Sequence, residues 1–163
     1  MYFFQCKKMF NFVLMENLNF KNYHLRIKNK ENKQYVFDEV RKKNILLTPE
    51  EWVRQNCIQY LIREKKYPKS LISVEKKLSI NTLTKRYDII IFNSSGEIYL
   101  LVECKSPKVK ISQKTFDQLS RYNLAFKSRY VMVTNGLTHY FCEVDYVNKK
   151  YSFLKELPTY KIQ

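Results

Sequence analysis

A chain of 163 residues has the size of one domain, and 45% hydrophobic with 15% aromatic residues is enough to build a core, which excludes global disorder. Thirty Lys and Arg against fifteen Asp and Glu give a formal charge of +15, a field that draws polyanions, nucleic acid above all. The excess of Lys over Arg beside abundant Asn, Ile and Tyr is also the drift of an AT-rich genome, so charge alone does not choose the partner.

The N-terminus, Met1 to Met15, is apolar but broken by Lys7 and Lys8, and it lacks the cleavage site of a signal peptide. No stretch reaches the ~18 uninterrupted apolar residues of a membrane span, so no membrane is expected. With Met9 and Met15 as further starts, residues 1–14 read as an upstream extension, or as a short docking helix. The organisation expected is an extension over residues 1–17 and one domain over 18–163.

From Tyr23, alternation to Lys28, a polar turn at 29–33 and a strand-like run from Gln34 to Val40 predict an N-terminal β-hairpin. Thr48-Pro49-Glu50-Glu51 then supplies an N-cap, a first-turn proline and two acids for the positive end of a helix. That helix is predicted to run to about Lys65, with Val53, Cys57, Tyr60 and Leu61 on its apolar face and Tyr67-Pro68 ending it. Strands follow at 71–80, 86–93 and 97–105, the last two joined by the turn Asn93-Ser94-Ser95-Gly96. A second helix is predicted over 112–127, with Phe116, Leu119, Tyr122 and Phe126 on one side, then strands at 129–134 and 138–144. The order is an αβββαβ core, an α/β fold in which a small mixed sheet is flanked by helices.

The four cysteines, Cys6, Cys57, Cys104 and Cys142, are far apart and form no C-x-x-C pair, which argues against a zinc knuckle or a disulfide framework and fits a reducing, cytoplasmic setting. His24 and His139 lie on separate strands without metal-ligand spacing and read as structural. Acids are more informative. Asp88 is embedded between Tyr87 and three isoleucines, an expensive place for a charge unless a cation compensates it. Alternation puts Glu97, Tyr99, Leu101, Glu103 and Lys105 on one strand face, and the hairpin brings Asp88 near Glu103. Two carboxylates with an ammonium beside them suit Mg²⁺-assisted phosphoryl chemistry. The plainer alternative is a cross-strand ion pair of Asp88 with Lys105 beside a solvated Glu103.

Tyr87-Asp88 and Glu103-Cys104-Lys105 resemble the two halves of the PD-(D/E)xK nuclease motif, with Tyr87 standing where the motif has proline. Leu-Thr-Pro-Glu-Glu-Trp-Val-Arg-Gln (47–55), Tyr-Pro-Lys-Ser-Leu-Ile (67–72), Val-Glu-Cys-Lys (102–105) and Phe-Asp-Gln-Leu-Ser-Arg-Tyr-Asn (116–123) are similar to the N-terminal endonuclease domain of the type I restriction enzyme R subunit, over roughly residues 18–160. The resemblance implies a restriction-endonuclease-like fold and a Mg²⁺-dependent endonuclease hydrolysing DNA, with Mn²⁺ able to substitute. It implies Asp88, Glu103, Lys105 and Gln118 as catalytic residues and Glu50, Asp88 and Glu103 as metal ligands. Glu50 is preferred over Glu51 because it shares a face with Val53, Cys57 and Leu61, while Glu51 would cap the helix. Gln118 and Tyr122 match the Q-x-x-x-Y arrangement of RecB-like nucleases and lie one helical turn apart. Lys108, Lys110, Lys114, Arg121 and Tyr122 are the candidate DNA contacts, positioning the duplex without reading its sequence.

The family's domain normally accompanies a motor. This sequence has no G-x-x-x-x-G-K-[ST] phosphate loop, so the expectation is a free-standing nuclease or one working with a separate motor or specificity subunit. A homodimer is the other partner considered, without an identified surface. The alternative function is a catalytically weak or inactive nucleic-acid-binding module of the same fold.

Overall fold

Glu31 and Asn32 both take positive φ (50° and 59°), the left-handed pair that a tight hairpin turn of native twist requires. They join β1 (Ile27–Lys30) to β2 (Lys33–Asp38), and β2 pairs onward with β3 (Lys43–Leu46), so the expected hairpin is a three-stranded antiparallel sheet. The computed structural model describes residues 15–80 and 82–161. The side chains at 80, 83, 117, 118, 120, 121 and 122 lie outside that description, as does the extension proposed for residues 1–14.

The helix α1 (Pro49–Arg63) begins as its sequence predicts: the Glu51 backbone N–H donates to Thr48 Oγ1 at 3.1 Å. Its Val53, Cys57, Ile58 and Leu61 enter the larger core cluster. Burial extends well beyond one apolar face, however, for Glu51, Arg54, Gln55, Asn56 and Gln59 are buried too.

After α1 come β4 (Ile72–Ile80), β5 (Leu83–Phe92), β6 (Ile98–Cys104), α2 (Gln113–Phe126), β7 (Tyr130–Thr134), β8 (His139–Asp145) and β9 (Lys150–Leu154). The six strands form one sheet in chain order. All neighbours are antiparallel except β6 and β7, which run parallel because α2 carries the chain back between them. The fold is α/β, and the αβββαβ order holds from α1 to β7, with β8 and β9 extending the sheet. Each face has its own core: one cluster packs against α1, the other takes Leu119 and Phe126 from α2.

The segment before β1 is tied to the sheet's end. Trp52 Nε1 donates to the Glu16 carbonyl at 3.0 Å, the Asn19 N–H donates to the Gly136 carbonyl at 2.7 Å, and His139 lies between Asn19 and Thr134. Burial lowers the His139 pKa, in keeping with a structural histidine. Gly136 sits at φ +84°, and a Cβ there would lie 2.6 Å from Leu18 Cδ2 and 3.1 Å from Val53 Cγ2. Gly136→Ala is therefore expected to destabilise the fold by about 2 kcal/mol or more, from backbone strain and overpacking together. Urea unfolding measures it, and a loss below a few tenths of that would refute the close approach.

Candidate active site

Strand irregularity, rather than strand regularity, positions Asp88. The β4–β5 ladder runs Val74↔Ile89 and then Lys76↔Tyr87, with Glu75 between them at φ +52°. Glu75 faces Asp88 across this interruption. Tyr87 packs in the α2-side cluster while Ile89 packs in the α1-side cluster, so β5 changes phase at Asp88, and its carboxylate reaches α1. The register is the same on both sides, with one residue on each strand at the interruption, so no residue is inserted; Glu75 in the left-handed region is a local distortion of the strand, of the kind that re-aims side chains. Beyond Ile89↔Val102 in the β5–β6 ladder, Asp88 and Glu103 are the next residues on their strands.

The two oxygens of Asp88 have separate partners. Oδ2 accepts the Cys104 backbone N–H at 2.6 Å, and Oδ1 accepts Arg54 Nη2 at 2.8 Å. The same Nη2 lies 3.0 Å from Glu50 Oε1, and Arg54 Nη1 pairs with Glu51. Glu103 has different company: Oε1 accepts Lys105 Nζ at 2.8 Å, and Oε2 lies 3.5 Å from Lys85 Nζ. Lys85 also stands over the Tyr87 ring at 4.7 Å.

These surroundings set the charges. Burial pushes the Asp88 carboxyl above its ordinary pKa, opposed by Arg54 and reinforced by Glu103. Burial works against the Lys105 ammonium, but its hydrogen bond to Glu103 and the charges of Glu103, Asp88 and Glu50 outweigh that and raise its pKa. Lys105 therefore sits in the combined field of all three acids and keeps its proton. Arg54 is likewise raised: burial opposes its charge, and Asp88 and Glu51 restore it.

Asp88, Glu103, Lys105 and, through Arg54, Glu50 are thus brought to one end of the sheet. Glu50 is 45% exposed. Glu51 lies inside, where its carboxylate binds Arg41, Arg54 and Gln55; the expected cap role of Glu51 is met by its backbone N–H alone. Lys114 lines a cavity of about 130 Å³ with Lys85, Glu103, Lys105, Ser112 and Thr115. Lys108 and Lys110 are exposed on the loop before α2. Gln118, Arg121 and Tyr122 fall on α2, their side chains outside the described ones. The face assigned to β6 needs one correction: Leu101 is on the α2 side, but Tyr99 packs against the α1-side cluster. The irregularity at Ile91/Phe92 breaks the alternation there.

Arg54, Lys85 and Glu75 went unnoticed in the sequence. For Arg54 a signal existed, since it lies three and four residues after the paired acids Glu51 and Glu50, a spacing that makes helical ion pairs. Lys85 and Glu75 carry no such mark in a chain so rich in lysine.

The donor set also bears on which cation could bind. Among the described residues no three His, Cys, Asp or Glu side chains converge as a ready-made metal cluster. Asp88 and Glu103 offer hard carboxylate oxygens, and Mg²⁺ is commonly held by one or two carboxylates, keeping waters and taking substrate phosphate oxygens for the rest. The donors fit that cation and not a thiophilic one, because Cys57, Cys104 and Cys142 are all buried and free.

Residues 49–158 match the family model described as type I restriction enzyme R protein N terminus. Among solved structures, a fragment of a candidate HsdR subunit of a type I restriction enzyme from Vibrio vulnificus YJ016 aligns with 18% identity and a TM-score of 0.43. The alignment covers 63% of this chain and 22% of that one, so the chain spans about a fifth of that chain's length. Among curated proteins none matches significantly. No described helix is long and apolar enough to cross a membrane.

Proposed function

Because the chain belongs to the family of type I restriction enzyme R protein N termini, we propose that it is a Mg²⁺-dependent endonuclease domain that hydrolyses DNA phosphodiester bonds in restriction or repair. The observation that carries this reading is the placement of Lys105, 2.8 Å from Glu103 and in the field of Asp88 and Glu50. Asp88 and Glu103 would hold Mg²⁺, or Mn²⁺ in its place; when bound, such an ion polarises a phosphoryl oxygen and acidifies bound water. Lys105, with its proton held by the surrounding acids, orients the attacking water or offsets charge on the phosphate. Lys85 and Lys114 line the same cavity and supply phosphate contacts, with Lys108 and Lys110 beyond it on the loop. DNA is the substrate, a separate motor or specificity subunit the working partner and the cytoplasm the setting.

One observation favours a second reading. Arg54 already neutralises Asp88 and Glu50, as it would in a module that binds DNA without cutting it. Incubation of the protein with supercoiled plasmid in Mg²⁺, Mn²⁺ or EDTA separates the two. Nicked or linear product with either metal and none with EDTA supports the nuclease. Salt-sensitive retention of intact plasmid under all three conditions would replace it with the binding module.

A further inference from the structure

We propose that Arg54 and the divalent ion compete for the same carboxylate oxygens, so that Arg54 sets how tightly the site binds metal. The inference rests on the metal-dependent reading above and goes beyond it by assigning a gating role to a residue outside the Asp88, Glu103 and Lys105 set. A single nitrogen, Nη2, contacts Glu50 Oε1 at 3.0 Å and Asp88 Oδ1 at 2.8 Å, two acids from different elements. Each oxygen of Asp88 holds one donor: Oδ2 accepts the Cys104 N–H, which the backbone fixes, whereas Oδ1 is held by a side chain that can move, so Oδ1 is where a cation contests a place. An ion at Asp88 Oδ1 would meet the guanidinium there, and one of the two must give way.

Arg54 has somewhere to go. Its other nitrogen, Nη1, is paired with Glu51, which is buried and fixed by Arg41 Nη2 at 2.5 Å and Gln55 Nε2 at 2.8 Å. The guanidinium can pivot about this contact, freeing Asp88 while keeping its charge compensated inside the protein. Arginine does not lose its proton at any working pH, so the exchange is driven by the ion's own concentration and by the phosphate it brings. The side chain is 5% exposed, which keeps water from screening the contest.

Mn²⁺ binding, read from the electron paramagnetic resonance signal of free Mn²⁺, tests this without reference to cleavage. Arg54→Gln keeps a polar side chain but removes the competing charge. It is expected to bind Mn²⁺ roughly ten-fold more tightly than the intact protein at unchanged stoichiometry, the scale of one charge-assisted hydrogen bond no longer given up. A residue that merely supported the fold would weaken binding when lost, so equal or weaker binding by a variant that still melts cooperatively overturns the proposal. Where Arg54→Gln does not fold, the Arg54 Nε–Hε resonance of the intact protein is followed by NMR during a Mg²⁺ titration. A saturable shift supports displacement; an unmoved resonance in a protein that binds Mn²⁺ overturns it. If the intact protein binds no Mn²⁺ at all, the metal-dependent reading falls first and this inference with it.

Discussion

Lys105→Ala is expected to lower the rate of plasmid cleavage by at least about a hundred-fold, the usual effect of deleting one group that stabilises charge in the transition state. The fold should survive. Lys105 is 32% exposed and its ion pair with Glu103 lies at the rim of a cavity, where such a pair contributes under about 1 kcal/mol. Lys85 also remains near Glu103 to compensate part of its charge. Circular dichroism and melting should therefore match the intact protein within error, and affinity for DNA at fixed salt should fall only slightly, since one charge of a strongly basic chain is lost. Measured under conditions of excess protein, the single-turnover rate isolates the chemical step from binding. Cleavage retained within three-fold by a folded Lys105→Ala would remove the ammonium from the chemistry and leave the E-x-K resemblance without mechanistic content.

Why the sequence could reveal one part of this site and not the other follows from the range of the interactions. Thr48, Pro49 and the paired acids signal the start of α1 because capping is local, and the turn at 93–96 forms from contacts among its own residues: Gly96 at φ +80°, and Asn93 accepting from the Glu97 N–H at 2.8 Å. The short spacing of the motif likewise marks Glu103 near the end of β6 and Lys105 just after it. β3 and β9 were missed because each is short and mostly exposed, with burial too slight to impose an alternating pattern. The left-handed backbone at Glu75 is hidden for a different reason. The contacts around it come from far away in sequence: the Glu75 carboxylate pairs with Arg41 of the loop between β2 and β3. Neither Val-Glu-Lys-Lys nor any neighbouring residue announces that strain. The phase change in β5 that turns Asp88 toward Arg54 therefore could not be derived from alternation, which instead predicts an unbroken face. Local rules found the acids, and tertiary contacts decided which cation each acid meets.

Those tertiary contacts converge on Arg41, and Arg41→Met is expected to cost about 3 kcal/mol of unfolding free energy, the low end for breaking a buried ion pair from one side. Arg41 Nε holds Asp38 Oδ2 at 2.7 Å, Nη2 holds Glu51 Oε1 at 2.5 Å, and Nη1 holds Glu75. Asp38 is fully buried and Glu51 nearly so. Methionine fills similar space but leaves these carboxylates with fewer partners; Gln55 still donates to Asp38 and Glu51, and Arg54 still pairs with Glu51, which is why the low end applies. The pH dependence provides an internal check. Burial raises the Asp38 pKa, but the backbone and side chain of Arg41, with Gln55, outweigh it and hold the carboxyl below its ordinary value. A carboxyl lowered on folding stabilises the protein above its unfolded pKa, and that contribution disappears as pH falls through the folded value. In Arg41→Met the part of the lowering that comes from the arginine side chain is lost while the backbone N–H and Gln55 remain, so the deficit measured by urea unfolding should be full near pH 7 and should shrink on acidification below roughly pH 4, where the carboxyls take up protons in either protein. A deficit independent of pH would mean that Arg41 acts by packing, not by charge. The pattern expected here would identify the same arginine as the link that docks the β2–β3 sheet onto α1 and holds Glu75 opposite Asp88, so that stability of the small sheet and geometry of the acid cluster rise and fall together.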